Sequence, residues 1–258
     1  MFNLFDEPLD LQESQSAEQQ PIQPTGMQSN IFVISIAGNM LFNSKPNASF
    51  IGKLSHSISM LQNEGYKFAL VAGPGSIARD LASAARALGA NNFQLDELGI
   101  KATELNAKLL VHGIANAFPE QLKDINKARE IIESNKIPVY ARLMPGLSSD
   151  SIAALLSEQL SCNLIKLAET DGLYSNDPKL DEQAILFESI SFKKLVQLIA
   201  KESIDLSKDI SIPLDLVTAL ILYRSKIKTH IINANALDNF EALVRGQGFK
   251  GTTIQETD

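Results

Sequence analysis

Asp171, Tyr174 and Asp177 stand together in AETDGLYSNDPKLDE (168–182), a polar, turn-rich stretch that follows the apolar run NLIKL directly. Gly172 permits a tight turn, Tyr174 offers a flat ring to a base or ribose, and Asp177 before Pro178 is biased to an extended or turn conformation. A purely structural turn would use the same residue types. Two glycine-bearing loops, AGNML (37–41) and AGPGS (72–76), also end apolar runs and precede a helix or turn. Backbone amides there can approach an anionic oxygen, and the dipole of a following helix favours it. GPGS has no lysine of the Walker type and neither loop matches GxGxxG, so turn geometry alone accounts for either loop taken singly. Arg79, four residues past Gly75, belongs to the first turns of the next helix, where a guanidinium reaches a phosphate at the helix N-terminus or an acid on a neighbouring helix. In MPGLSSD (144–150), Ser148, Ser149 and Asp150 precede the apolar SIAALL and read as an N-cap. The same hydroxyls and carboxylate can also hydrogen-bond a ligand, and both roles stay open.

The elements that must position these loops follow from periodicity. IFVISIA (31–37), KFALVA (67–72), IPVYARL (137–143), NLIKLAE (163–169), KTHIINA (228–234) and GTTI (251–254) read as strands. Between them, 48–65, 76–89, 151–160, 191–203, 212–225 and 236–246 repeat apolar residues with helical spacing, several closing on glycine. Residues 95–118 read as one long helix, and 119–135 as a second helix opening on Pro119, where the missing amide proton matters least. Strands alternating with helices predict an α/β fold with a mainly parallel sheet covered on both faces. In such sheets ligands bind at the carboxyl ends of the strands, where all four loops sit.

Composition sets the outer bounds. The 258 residues, 45% hydrophobic and 6% aromatic, suffice for one large α/β domain or two closely joined lobes. A net charge of −7, a pI near 5.1 and no basic patch argue against nucleic-acid partners. The single cysteine, Cys162, excludes an intramolecular disulfide framework, and no zinc-type spacing is present, so no metal ligands are assigned. His56, His112 and His230 are scattered and are assigned no chemistry. No apolar stretch is long enough to span a bilayer, and the N-terminus has no signal-like pattern; a soluble cytoplasmic protein is expected. Residues 1–30 carry five acids and no Lys or Arg and read as a disordered leader. Within it FNLFDEPLDL either remains a solvated tail or serves residues 1–12 as a docking motif for a protein partner.

The order of motifs is more specific than any one of them. LDELGIKATELNA (95–107), PGLSSDSIAALL (145–156), TDGLYSNDPKLD (170–181) and the terminal GTTI resemble the amino-acid kinase superfamily, most closely the archaeal-type uridylate kinases, over roughly residues 31–255. The resemblance implies a three-layer αβα sandwich that transfers the ATP γ-phosphoryl group to UMP without a covalent intermediate, with Mg²⁺ on ATP and often as a hexamer. It implies an acceptor-site lobe of about 31–160 and a nucleotide-site lobe of about 161–258. By position, Gly38, Asn39, Pro74, Gly75 and Arg79 would face ATP phosphates, and Asp171, Tyr174 and Asp177 the adenosine. Gly73, Asp96, Gly99, Pro145, Gly146, Ser148 and Ser149 would serve UMP, and Asp150 with Arg79 would act in catalysis.

Departures from the family pattern cluster on the phosphate side. Ala37 and Asn39 stand where the family has a glycine and a serine, Pro74 interrupts a triple glycine, Ser76 replaces a lysine, and Leu143, Met144 and Leu147 replace a threonine and two histidines. Glu104 replaces an arginine, Ala168 a threonine, and Leu220 aligns with a late-helix lysine. Lost cations leave developing charge uncompensated; Arg142, Lys166 and Arg79 are the nearby basic residues. A catalytically impaired nucleotide sensor or scaffold is therefore the alternative. An oxyanion-storage protein resembling the molybdenum storage proteins ranks below it, because the compact loop from Arg142 to Asp150 lacks the long insertion expected there.

Overall fold

The computed structural model describes residues 30–178, 180–204 and 212–256. The acidic leader and its docking motif lie outside the described residues. From the start of the described chain, β1 (Ile31–Ile36) runs into one helical turn, α1 (Gly38–Leu41), and a small hairpin of β2 (Phe42–Asn43) and β3 (Lys45–Pro46). α2 (Ala48–Asn63), β4 (Lys67–Ala72), α3 (Gly75–Ala87), α4 (Asn92–Gly113) and β5 (Ala117–Leu122) follow. A 3₁₀ turn at Ile125–Lys127 and α5 (Ala128–Glu133) lead to β6 (Ile137–Tyr140), α6 (Ser149–Leu160), β7 (Asn163–Ala168) and β8 (Ser189–Ser191). The chain continues through α7 (Phe192–Ile204), α8 (Leu216–Ser225), β9 (Thr229–Asn233), α9 (Leu237–Val244) and β10 (Thr252–Gln255).

One eight-stranded sheet runs in the order β5-β6-β4-β1-β7-β9-β10-β8. It is parallel except that β10 pairs antiparallel with β9 and carries β8 parallel to itself at the edge. The near-continuous apolar runs of the central strands have the composition that burial on both faces demands. Alternate residues enter opposite cores. Phe32, Ile34 and Ile36 of β1 and Phe68 and Leu70 of β4 pack on α2 through Phe50, Leu54 and Ile58, and on α9 through Phe240. Val33 and Val71 pack on the other layer, with Ile152 and Leu156 of α6, Leu195 of α7 and Leu222 of α8. The result is the expected three-layer αβα sandwich. β1 leads on to β4 on one side while β7, its neighbour on the other, leads on toward β9, so the crevice at the switch point between β1 and β7 opens at their carboxyl ends.

Two expectations are corrected. The long helix ends at Gly113, and residues 117–122, split by the sequence reading between two helices, form the edge strand β5. Pro119 has no amide to donate, which an edge strand tolerates, and the register of β5 against β6 shifts between Ala117 and Gln121. Of the six residues of β5 only Leu122 is fully buried and Pro119 and Glu120 are exposed, so the strand carries no apolar alternation to read. At its other end α4 starts at Asn92 rather than 95, because Asn91 and Gln94 form a reciprocal capping box. The three-residue β8 and the hairpin of β2 and β3 were too short to show a period.

Candidate active site

Two glycine loops cross backbone on backbone at the mouth of β1 and β4. A Cβ added to Gly38 would lie 1.9 Å from the Gly75 nitrogen, and one on Gly73 would lie 2.5 Å from the Gly38 nitrogen. Gly75 has φ +72°, which glycine adopts without strain. Asn106, buried on α4, fixes the second loop by donating from Nδ2 to the carbonyls of Gly73 (2.9 Å) and Pro74 (3.2 Å). α3 then begins at Gly75, and Arg79 on its exposed side donates to Asn39 Oδ1 at 2.9 Å. Asn39 in turn donates to Glu169, so α1, α3 and the end of β7 are tied across the mouth.

These loops form one wall of a cleft of about 270 Å³, whose lining also includes Ser149, Asp150, Lys166, Glu169, Thr170, Asp177 and Pro213. On its floor Lys166 Nζ meets Asp150 Oδ1 at 2.6 Å, and the Ser35 hydroxyl donates to the same oxygen. Ser35 of β1 and Lys166 of β7 are direct partners in the parallel register, and both face α6, which delivers Asp150 in its first turn. All three side chains are buried.

A second, wider cleft of about 720 Å³ opens beyond this floor. Pro74, Ser149, Asp150 and Pro213 line both clefts, so the two meet at Asp150. Its walls are braced by side chains. Asp96 accepts from Arg142 Nη2 at 2.8 Å and from the Gly146 amide at 2.8 Å. The Arg142 hydrogen bond, reinforced by that amide, holds the Asp96 carboxyl below its usual range against the opposing effect of partial burial. Arg142 Nε also donates to the Leu147 carbonyl at 2.8 Å, and a Cβ on Gly99 would come within 2.7 Å of its Nη1. Gly99 thus serves the second cleft by leaving room for Arg142.

Ser148 caps α6, accepting from the Ser151 amide at 3.0 Å, and also donates to Asp215 Oδ2 at 2.5 Å. Asp215 caps α8 through the Thr218 amide at 2.9 Å. Burial raises the Asp215 pKa, but the hydrogen bonds from Ser148 and Thr218 outweigh it and the net shift is downward. Capping, one of two roles left open for Ser148, is therefore realised, and it couples the starts of two helices.

Part of the predicted set lies off these linings. Asp171 accepts from Lys250 at 2.5 Å and Asn233 at 2.9 Å; the Lys250 contact, then Asn233, hold its pKa down against burial. The Tyr174 hydroxyl lies 3.4 Å from Asp171, and a Cβ on Gly172 would meet Thr252 Oγ1 at 2.5 Å. The start of this loop is thus docked on β9 and β10, and among Asp171, Tyr174 and Asp177 only Asp177 lines the first cleft. Pro145 is half-buried and lines neither cleft, whereas Gly73 lines the first and Gly146 and Ser148 the second. Leu220 sits 47% exposed on α8 and lines neither.

The model of the amino acid kinase family matches residues 30–233. The chain belongs to the amino acid kinase family. It is 36% identical over 226 residues to the uridylate kinase of Pyrococcus abyssi, covering 86% of this chain and 98% of that one. It is 34% identical over 223 residues to that of Archaeoglobus fulgidus, covering 86% and 98%. A crystal structure of uridylate kinase from Archaeoglobus fulgidus superposes with a TM-score of 0.74 at 32% identity, covering 86% of this chain and 99% of that chain. A UMP kinase structure from Bacillus anthracis, 15% identical, shares the fold with a TM-score of 0.75 over 89% and 97%.

Within this family member, several residues at the site went unassigned in the sequence. Ser35, Asn106, Glu169, Asp215 and Thr218 each hold a wall of the clefts, and the sequence marks Lys166 only as a nearby cation. The signal for Lys166 was a charge inside the buried run NLIKL; that for Asn106 was its place in LDELGIKATELNA. Among the described residues no group of three or more His, Cys, Asp or Glu side chains converges to hold a metal ion. Mg²⁺ carried on a nucleotide needs only one or two carboxylates besides phosphate oxygens. Asp150, Glu169 and Asp177 border the first cleft and fit that requirement. No helix among the described residues is long and apolar enough to cross a membrane.

Proposed function

We propose that this protein transfers the γ-phosphoryl group of ATP to UMP, giving ADP and UDP. The observation that carries the reading is the meeting of the two clefts at Asp150 and Ser149, because direct transfer needs donor and acceptor phosphates end to end. Kinship to uridylate kinases at 34–36% identity supports the choice of acceptor. In this reading the first cleft takes ATP, with Gly38, Asn39, Pro74, Gly75 and Arg79 along the phosphates. Asp177 borders the adenosine side, and Asp171 and Tyr174 shape that edge from behind. The second takes UMP, with Gly73 at the junction, Asp96, Gly146, Ser148 and Ser149 on the wall, and Gly99 and Pro145 shaping it. Asp150 organises the transferring group and Arg79 adds charge at the rim. Mg²⁺ on ATP neutralises phosphate charge when bound.

The lobes of about 31–160 and 161–258 then contribute acceptor and nucleotide sites, with the glycine loops of the first reaching into the ATP cleft. A homo-oligomer, a hexamer as the resemblance implies, is part of the proposal; exposed Leu81, Leu88, Phe93 and Leu105 on and between α3 and α4 are surface that assembly would cover. A cytoplasmic setting and a protein partner for residues 1–12 complete it. Coupled measurement of ADP release with UMP, CMP and other small acceptors, beside calorimetry of each nucleotide, tests the function. Saturable release preferring UMP is expected. Tight nucleotide binding without turnover would overturn it in favour of a sensor.

A further inference from the structure

We propose that Lys166 is the catalytic cation of this site, contacting the transferring phosphoryl group from strand β7. The inference rests on the phosphoryl-transfer reading and supplies what the sequence left missing, a charge at the centre of the site. Among the described residues lining the first cleft, Lys166 and Arg79 are the cations. Arg79 is exposed at the rim and engaged with Asn39. Arg142 lines the second cleft and is engaged with Asp96. Lys166 instead stands on the floor beside Asp150, where the clefts meet, with its side chain 6% exposed.

Its surroundings are arranged for a charged lysine. The face of β1 and β7 that meets α6 is otherwise apolar, with Val33, Leu164 and Ala168, and the polar pair Ser35 and Lys166 breaks it at directly opposed positions. An ammonium has three N–H donors. Asp150 at 2.6 Å and Ser35 at 3.4 Å take two of them, while the group borders the cleft. During transfer a UMP phosphate oxygen bonds to the γ-phosphorus as the bond from that phosphorus to the β,γ-bridging oxygen breaks. The electron pair of the broken bond leaves on the β-phosphate of ADP. No proton changes hands, so Lys166 keeps its proton and donates to a γ-phosphoryl oxygen, with Asp150 holding the ammonium in place. A lysine that only stapled β1, α6 and β7 would affect stability and leave the chemistry of bound substrates alone.

The test combines Lys166→Met with an acyl phosphate of ATP, which passes its acyl group to an amine near the γ-phosphate as an amide and releases ATP. We expect kcat with UMP to fall about 100- to 1,000-fold in Lys166→Met. The KM for ATP should change far less, and in the wild-type protein ATP-protected acylation should map to Lys166. Turnover of Lys166→Met within about threefold of wild type, or Lys166 unlabelled while other lysines react, overturns the proposal and leaves the kinase reading standing. If Lys166→Met does not fold, the labelling decides alone. Wild-type protein that turns over no nucleoside monophosphate sinks the kinase reading itself, and the role of Lys166 with it.

Discussion

The two mouths of the cleft are built from different materials. At the first cleft, the proposed ATP side, the two glycine loops meet through main chain, Gly38 against Gly73 and Gly75, with no room for a Cβ between them. At the second cleft, the proposed UMP side, the walls meet through side chains: Arg142 with Asp96, and Ser148 and Thr218 with Asp215. Main-chain contact holds a fixed shape whatever the neighbouring side chains are, so the crossing of Gly38 with Gly73 and Gly75 tolerates Asn39 and Pro74 beside it. Side-chain bracing holds charge and can be altered one group at a time. Substitutions at the crossing glycines should therefore be all-or-none, and those at the bracing side chains graded.

The sharpest break in that contrast is Gly38→Ala. The added methyl has to displace the Gly75 backbone, and overpacking of this kind costs about 3 kcal/mol or more. Thermal unfolding should shift down by roughly 6–12 °C, with ATP binding lost in calorimetry. Asn106→Ala leaves the loop in place but strips two carbonyls of their donor, at about 1–3 kcal/mol. Its mark should be a raised KM for ATP at nearly unchanged KM for UMP. Asp96→Asn should do the reverse, raising the KM for UMP about tenfold with little change for ATP, as loss of one charge-assisted hydrogen bond implies.

A pH series sharpens the comparison further. Asp96 and Asp215 both titrate below the ordinary carboxylate range in the folded protein. A lowered folded pKa stabilises in full above the unfolded value of about 3.9 and stops doing so as pH falls through the folded values. The stability difference between wild type and Asp96→Asn should thus be constant from pH 7 to about 5 and shrink below about 4, read as Tm. Leu220→Lys gives the smallest effect, activity within about twofold of wild type, since the residue is exposed and lines neither cleft. A large gain in rate there would mean that α8 faces the phosphates.

What could be read from the sequence follows the same division. Strand ends, glycine loops and the cap at Ser148 were legible because apolar runs and turn residues are local signals. β5 was not, because a partly buried edge strand containing Pro119 has no period to detect. The approach of Gly38 to Gly75 depends on two loops 37 residues apart in sequence. The pairing of Lys166 with Asp150 depends on β1, β7 and α6 arriving together, so the charge in NLIKL was visible while its partner was not. Leu220, which the sequence sets against a family lysine, stands exposed on α8 and lines neither cleft.

The central claim is that donor and acceptor occupy one continuous cleft joined at Asp150. A bisubstrate analogue, adenosine and uridine linked through a pentaphosphate, tests it in a single titration calorimetry experiment. The account predicts one analogue per chain, bound at least about 100-fold more tightly than ATP or UMP and displacing both. An analogue that binds no better than ATP and leaves UMP binding intact would contradict it.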